Sequence, residues 1–214
     1  MIHLPVEQGS KEWLDAKIGI ASASNFDRII TPKTGKLSTS SEGYAHELIA
    51  EQILKRPLDD ATTAFMQRGN LVEKAARDWY SLQTGADVER AGFILRDDRR
   101  AGCSPDGLIG ADGGLEIKCP SAGVHIGYLL GDAGEKYRCQ VQGCLWVTQR
   151  SYWDFVSYNP DFPSALVRFH RDEEFIAKLA AAVHQFNEMV DDMKAKLVHL
   201  GYFPDLGVPD LKIA

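Results

Sequence analysis

The sequence predicts an α/β or α+β domain in which helices flank a mixed central β-sheet. Two observations support this prediction. Apolar residues at helical spacing dominate residues 1–85, whereas short β-type runs separated by turn residues occupy 88–119. A helical segment, two strand-like runs and a long amphipathic segment complete the chain. Because domains usually hold ~100–200 residues, we expect residues 1–214 to form a single domain.

The N-terminal part of the chain contains clear helix starts and stops. Ser10 is a predicted N-cap, and Pro32 ends the second helix because proline disfavours helical backbone at the residue before it. Gly85 is expected to end a long helix. Glu73 borders the apolar stripe of that long helix, which is an unusual place for a charge. The predicted helices open at 10–13 and then cover 22–30, 42–54 and 63–83.

The pattern changes to β-type after Gly85. A Ser-Pro-Asp-Gly sequence interrupts the second strand candidate, and a turn rich in glycine precedes the third, so we expect a meander of three strands. The predicted strands are 88–95, 100–109, 114–119, 152–158 and 165–169. The predicted helices of this half are 135–147 and 172–197.

Composition narrows the class of protein. The net charge of −6 argues against a simple basic DNA-coating protein, but a nuclease needs only a local basic surface. The first residues show neither a basic cluster nor an apolar run, and no apolar stretch of about 18 residues occurs, so we expect a cytoplasmic protein without a membrane segment. The four cysteines form no CxxC pair, which favours buried free thiols over a zinc or iron–sulfur site.

The most informative stretch contains Asp106, Glu116 and Lys118. Glu116 and Lys118 are two positions apart, so on a strand their side chains project from the same face. Pairing of two neighbouring strands can place Asp106 beside Glu116. Two adjacent carboxylates repel each other, and a divalent cation between them relieves that repulsion. Oxygen ligands favour Mg²⁺ or Mn²⁺, and the carbonyl of Ile117 is a further candidate ligand.

Lys118 would lie beside the attacking water and the phosphate. It could orient the water, help its deprotonation or stabilise charge on the phosphate, and the sequence leaves all three roles open. The spacing D-x9-E-x-K alone is a weak signal, because charged residues on the solvent face of a strand produce it by chance. Core-type neighbours such as Leu108 and Leu115 favour the functional interpretation, since they place these charges where burial is expected.

Further blocks of the sequence carry a family resemblance. The chain resembles the lambda-phage type alkaline exonucleases, or YqaJ viral recombinase family, within the PD-(D/E)xK nuclease superfamily. The similarity runs from about residue 12 to 197 and implies a restriction-endonuclease-like core at about 63–170. Its blocks are Glu12-Trp13, GIASAS at 19–24, Arg68-Gly69 with Glu73, CSPDGL at 103–108, LEIKCP at 115–120, QVQ at 140–142, LWVT at 145–148 and the aromatic run 153–158.

The resemblance implies a role for each matching residue. Asp106, Glu116 and the Ile117 carbonyl would bind metal, with two ions per site once DNA is bound, and Lys118 would be the catalytic lysine. The resemblance also implies that Glu73 supports the site through water and that Gln140 lies near water or phosphate. The positions near the 5′-phosphate of a DNA end are Lys17, Ser24 and Ser104. Lys17 stands where the family has arginine, so its charge is kept but the bidentate fork is lost.

The resemblance also implies an activity and partners. The family digests one strand of duplex DNA from 5′-phosphorylated ends and leaves 3′ overhangs. It forms ring-shaped homotrimers and acts with a single-strand annealing protein.

Interpretations without a function remain open for individual residues. Glu73 could be a helix-surface carboxylate, Gln140 a solvated side chain, and Ser24 a hydroxyl bonded to its own backbone.

Two other functions remain possible at this stage. The first is a different PD-(D/E)xK enzyme, such as a restriction-type endonuclease, which would cut circular DNA. The second is a DNA-end-binding scaffold whose site no longer turns over, although intact Asp106, Glu116 and Lys118 argue against it. A serine or cysteine hydrolase is disfavoured because the chain lacks G-x-S-x-G.

Overall fold

The computed structural model describes residues 1–58 and 64–206, and for residues 64–71 only the helical backbone. The helices are α1 Lys11–Lys17, α2 Phe26–Ile29, α3 Ser41–Leu54, α4 Ala64–Thr84, α5 Ala122–Leu129, α6 Ala133–Lys136, α7 Arg138–Thr148 and α8 Glu173–His199. The strands are β1 Ile2–Leu4, β2 Ala21–Ser22, β3 Val88–Glu89, β4 Phe93–Leu95, β5 Ala101–Cys103, β6 Gly107–Ile109, β7 Gly113–Lys118, β8 Tyr152–Ser157 and β9 Ala165–His170. The predicted helical and β-type regions are therefore present, with changed boundaries.

Within residues 1–58 and 64–206, the strands form two mixed sheets rather than one. The larger has the order β3-β6-β7-β8-β9, and only its β7–β8 pair is parallel. The smaller has the order β1-β4-β5-β2, and its β2–β5 pair is parallel. Helices pack on these sheets, which confirms the predicted mixed α/β architecture.

The predicted three-strand meander is wrong. The predicted strand 88–95 is divided between the two sheets, and the predicted strand 100–109 is divided in the same way. The first break is at Gly92, where a Cβ atom would lie 2.4 Å from the carbonyl oxygens of Leu4 and Val6. The second is the Ser104–Asp106 segment, which connects β5 to β6. Sequence periodicity cannot show that one β-type run feeds two sheets, because the exchange depends on contacts with distant backbone.

Two helix predictions also need correction. The predicted helix 22–30 is a short parallel strand at Ala21–Ser22, a 3₁₀ turn at Ala23–Asn25 and only then α2. Its first residues leave the helix because Ser22 donates its amide to the buried Tyr44 hydroxyl and the strand pairs with β5. The predicted helix 135–147 is two helices, α6 and α7, and α5 was not predicted.

Two apolar clusters position the candidate site. The larger one lies among the smaller sheet and helices α2, α3, α7 and α8. The second joins α4 to the larger sheet, where Ala76 and Tyr80 pack with Leu115 and Ile117. Burial of these side chains stabilises the contact by ~25 cal/mol per Å² of apolar surface. It therefore holds the α4 face that carries Glu73 against β7.

The remaining sequence predictions concern single positions. Ser10 caps α1, where its hydroxyl accepts from the Trp13 amide. Gly85 ends α4 with φ +69°. The side chain of Arg68 lies outside the described residues. The four cysteines are free thiols, and Cys119 is half-buried while the other three are buried. No helix in the described ranges has the length and apolar character that a membrane crossing requires.

Candidate active site

The β6–β7 register brings the predicted metal-binding carboxylates together. Gly107 pairs with Leu115, and the Asp106 amide donates to the Leu115 carbonyl over 3.1 Å. The next position in this antiparallel register sets Asp106 opposite Glu116, where side chains share a face. The Asp106 carboxylate also accepts from the Ile117 amide at 2.6 Å. Asp106, which directly precedes β6, and Glu116 on β7 therefore lie opposite each other at one end of the β6–β7 pair.

Glu116 is a deeply buried carboxylate with an asymmetric environment. The residue is only 2% exposed. Its Oε1 accepts from Gln140 Nε2 at 2.6 Å and forms an ion pair with Lys118 Nζ at 2.5 Å. Its Oε2 is buried and has no hydrogen-bond partner among the described residues. A buried oxygen of this kind costs free energy unless a ligand completes it.

Lys118 is held between the carboxylates and an aromatic ring. Its Nζ lies 5.4 Å from the centre of the Tyr137 ring. Burial opposes the charged form of Lys118, but the negative charges of Glu116 and Asp106 outweigh burial and raise the pKa of the ammonium. Lys118 therefore keeps its proton and acts as a positive charge and hydrogen-bond donor, not as a base.

The pKa of Asp106 is raised well above its usual value. Burial is the largest cause, followed by the negative charges of Glu116 and Glu73. Three carboxylates that converge in this way need an added positive charge to remain ionised together. A divalent cation would supply that charge, and the unpartnered Glu116 Oε2 offers it a ligand atom.

The donor set fits a cation that keeps several waters. Among the described residues, no three His, Cys, Asp or Glu side chains form a complete protein cage for a metal ion. Mg²⁺ commonly binds through one or two carboxylates plus waters and substrate phosphates, so Asp106 and Glu116 suffice as side-chain ligands. The Ile117 carbonyl stays a predicted ligand.

Glu73 reaches the site with a partner that the sequence analysis missed. Arg77 Nη2 contacts Glu73 Oε1 at 2.5 Å, and Arg77 Nε donates to the Asp106 carbonyl at 3.2 Å. The spacing of four residues between Glu73 and Arg77 is a recognisable helix ion-pair signal. It could have flagged the pair, but not the third contact with Asp106.

The predicted phosphate-binding residues are only partly assembled. The Trp13 indole donates to Ser104 Oγ at 2.9 Å, and Lys17 Nζ lies 3.8 Å from the centre of the Trp13 ring. Trp13 thus links Lys17 to Ser104, two residues before Asp106. Burial lowers the pKa of Lys17 to about 8. Ser24 is exposed and its hydroxyl lies 3.1 Å from that of Ser22, so its contact is within its own turn.

Comparison with known proteins places the chain in a family. The sequence model of the YqaJ-like viral recombinase domain matches residues 12–151. This chain belongs to the YqaJ-like viral recombinase family. The match spans α1 through α7 and includes every residue that was predicted for the site. A search of curated proteins found no match.

Solved structures of an alkaline exonuclease share the fold of this chain. The alkaline exonuclease LHK-Exo from Laribacter hongkongensis is 29% identical, with a TM-score of 0.73 over 89% of this chain and 100% of the other. LHK-Exo in complex with dAMP is 31% identical, with a TM-score of 0.76 over the same shares of both chains. The predicted alkaline exonuclease family and restriction-endonuclease-like fold are confirmed.

A more distant structure agrees in fold alone. A phage related exonuclease from Haemophilus somnus 129PT is 17% identical, with a TM-score of 0.65 over 83% of this chain and 96% of the other. This likeness supports the fold only, so the roles of single residues must be argued from the site itself.

Proposed function

We propose that this protein is a Mg²⁺-dependent exonuclease. It digests one strand of linear duplex DNA from 5′-phosphorylated ends and leaves 3′ single-stranded overhangs. Family membership and the similarity to an alkaline exonuclease support the nuclease class. The observation that supports metal-dependent chemistry most directly is the buried Glu116 Oε2, which has no hydrogen-bond partner in the described part of the chain and belongs to a carboxylate beside Asp106 and Lys118.

Each residue of the site has a defined task in this proposal. Asp106 and Glu116 would hold the cation, with the Ile117 carbonyl as a third protein ligand and two ions once DNA is bound. The bound metal supplies Lewis-acid polarisation of the phosphate and lowers the pKa of water. Lys118 places a positive charge where the phosphate becomes more negative, which lowers the barrier most in a water-poor site. Mn²⁺ should replace Mg²⁺ because the ligands are all oxygen atoms.

The supporting residues orient these groups. Gln140 donates to Glu116 Oε1, so Oε2 stays directed towards the cation site. Glu73 lies close enough to influence Asp106 and can accept a hydrogen bond from water at the metal. In this scheme Lys118 acts as an electrostatic stabiliser, the role that its raised pKa favours among the three that the sequence left open.

The polarity of digestion would be set by the Lys17 and Ser104 side of the site. A phosphate at a 5′ end would meet the Lys17 ammonium and the Ser104 hydroxyl, while the next phosphodiester lies over Asp106. Ser24 would contribute if DNA draws its exposed hydroxyl towards that phosphate. We also propose a homotrimeric ring around the DNA, a single-strand annealing protein as partner and a cytoplasmic location, all of which rest on the family resemblance.

The first experiment compares two DNA substrates. Linear duplex with 5′-phosphate ends and closed circular duplex are incubated with Mg²⁺ or EDTA. We expect loss of the linear DNA only, in Mg²⁺ only, with a 3′ single-stranded product. Cleavage of the circle would replace the proposal with an endonuclease. End binding without cleavage of either substrate would leave a DNA-end scaffold.

The variant Asp106→Asn tests the site within this proposal. It removes a charged ligand but keeps an oxygen that can accept from the Ile117 amide. We expect cleavage to fall by at least ~10³-fold, or about 4 kcal/mol, while DNA-end binding persists. Near-normal cleavage would remove Asp106 from the mechanism.

The same variant also tests how the charge of Asp106 affects stability when EDTA keeps metal ions from the protein. Burial and the neighbouring negative charges disfavour ionised Asp106 in the folded protein, which is why its pKa is raised. In EDTA we therefore expect Asp106→Asn to increase the Tm. A gain of ~1 kcal/mol corresponds to roughly 2–4 °C for a chain of this size. The gain should grow as the pH rises above the ordinary carboxyl pKa of 3.8 and level off above the raised one.

A further inference from the structure

The Arg77 side chain contacts two residues of the site, Glu73 and Asp106. Its Nη2 pairs with the Glu73 carboxylate at 2.5 Å, and its Nε donates to the Asp106 carbonyl at 3.2 Å. The Arg77 side chain is 14% exposed, so these contacts are largely shielded from water. Its neighbours on α4, Ala76 and Tyr80, anchor the helix to the sheet.

A second ion pair on the same helix shows what is particular to Arg77. Lys74 and Asp78 have the same spacing of four residues, and their charged groups are 2.6 Å apart. Both of their side chains are well exposed, at 74% and 64%. An exposed helix pair of this kind contributes only ~0.3–0.5 kcal/mol. Arg77 differs because it is shielded and also holds a backbone atom of a predicted metal ligand.

The contact with Asp106 completes the fixation of that residue. The Asp106 amide bonds to Leu115, the carboxylate accepts from the Ile117 amide, and the carbonyl accepts from Arg77. The first two bonds come from β7, and the third comes from α4. Without Arg77 the carbonyl side of Asp106 loses the contact that ties it to the helix carrying Glu73.

We propose that Arg77 is a positioning residue that sets the distance between Glu73 and Asp106 and thereby the geometry of the cation site. This inference rests on the proposed metal-dependent function. The planar fork of the guanidinium can serve both acceptors at once, whereas a lysine ammonium on a flexible stem cannot hold the same geometry. Arg77 acts through Glu73 and Asp106 and does not itself contact the cation.

The test uses Arg77→Lys, which keeps the positive charge and removes the fork. Partners that orient metal ligands typically contribute roughly 10- to 100-fold to metal affinity or activity. We therefore expect Mn²⁺ binding to the DNA-free protein, measured by titration calorimetry, to weaken by at least ~10-fold. We expect kcat for linear DNA to fall by a similar factor while KM for DNA changes less than ~3-fold, since the variant alters geometry at the reacting centre. Lys74→Gln is the matched control and should leave Mn²⁺ affinity, kcat and KM unchanged.

A double-mutant cycle separates positioning from simple stabilisation. Because part of the Arg77 effect passes through Glu73, the combined loss of kcat in Glu73→Gln with Arg77→Lys should be smaller than the product of the two single losses. A combined loss equal to the product of the two single losses would overturn the proposal. Mn²⁺ affinity of Arg77→Lys within twofold of the wild type would overturn it as well. Arg77→Gln serves in the same assays if the lysine variant does not fold.

The metal titration also distinguishes the two levels of inference. If the wild-type protein binds Mn²⁺ but cleaves no DNA, the nuclease proposal fails, while weaker Mn²⁺ binding in Arg77→Lys still supports Arg77 as a positioning residue. If the wild type cleaves DNA and Arg77→Lys matches it in kcat and Mn²⁺ affinity, only the Arg77 proposal fails.

Discussion

Two buried carboxylates of the larger sheet differ in how completely they are paired. Glu116 on β7 and Asp154 on β8 belong to neighbouring parallel strands and are 2% and 1% exposed. Their register places them on opposite faces, since Asp154 aligns with Leu115 and Glu116 aligns with Phe155. Asp154 accepts from Arg168 through both oxygens at 2.7 Å and from the Tyr80 hydroxyl at 2.6 Å. Glu116 has two partners on one oxygen and none among the described residues on the other.

The difference indicates which carboxylate is structural. A buried charge is tolerated when hydrogen bonds and an opposite charge satisfy it fully, as they do for Asp154. Glu116 is left with an unsatisfied oxygen next to a second carboxylate, which is an arrangement that folding alone would not favour. Complete pairing therefore indicates a structural role for Asp154. The Glu116 oxygen that lacks a partner among the described residues lies beside a second carboxylate, Asp106, and this combination indicates a place for a ligand.

The largest expected effect is the loss of DNA cleavage when Glu116 is replaced. Glu116→Gln keeps the size of the side chain and the bond to Gln140 but removes the charge that attracts the cation. We expect kcat to fall by at least ~10³-fold and Mn²⁺ binding to weaken, because a central ligand is lost. In EDTA the Tm should not drop by more than a few degrees. A variant that cleaves normally would end the functional interpretation of the unpartnered oxygen.

A smaller effect, on stability and not on chemistry, is expected at Asp154. Asp154→Asn breaks the paired contact with Arg168 and weakens that with Tyr80, so we expect the free energy of unfolding to fall by roughly 2–3 kcal/mol. Denaturant unfolding measures this change, and Mn²⁺ affinity of the folded variant should match the wild type. If Asp154→Asn lost metal binding while it stayed fully folded, the division between the two carboxylates would be wrong.

The smallest expected effect concerns the charge of Lys17, and Arg168 shows the contrasting case. Arg168 is matched to a carboxylate, which raises its pKa, whereas burial lowers the pKa of Lys17 to about 8. Lys17 should therefore lose its charge as the pH rises through about 8 in the DNA-free protein. We expect the preference for 5′-phosphate over 5′-hydroxyl ends to decline by roughly 3- to 10-fold between pH 7 and pH 9.5, about 1 kcal/mol.

Lys17→Arg provides the matched comparison for this pH dependence. Arginine stays charged at alkaline pH and restores the bidentate fork, so we expect a stronger preference for 5′-phosphate that does not change across the same range. Competition assays with the two kinds of DNA end measure the ratio. Equal pH dependence in both proteins would mean that Lys17 does not contact the terminal phosphate.

The part of the site that depends on local backbone geometry could be predicted from the sequence. The alternation of side chains along a strand was enough to put Glu116 and Lys118 on one face, and β7 follows that prediction. Arg77 was missed although its spacing from Glu73 is a standard helix pair, because its importance depends on the Asp106 carbonyl 29 positions away. The link from Lys17 through Trp13 to Ser104 likewise joins residues that are 91 positions apart.

The sequence by itself determined the family, the α/β class and the residues that carry the proposed chemistry. The class follows from helix periodicity and strand alternation, which are properties of neighbouring residues. The family and its site residues follow from the resemblance of ordered sequence blocks. The tertiary structure decided that residues 88–109 serve two sheets, that Asp106 lies opposite Glu116, and that one Glu116 oxygen has no partner among the residues that the structure describes. These features depend on strand register and on the packing of α4 and α7 against the larger sheet, which are long-range contacts that no local pattern specifies.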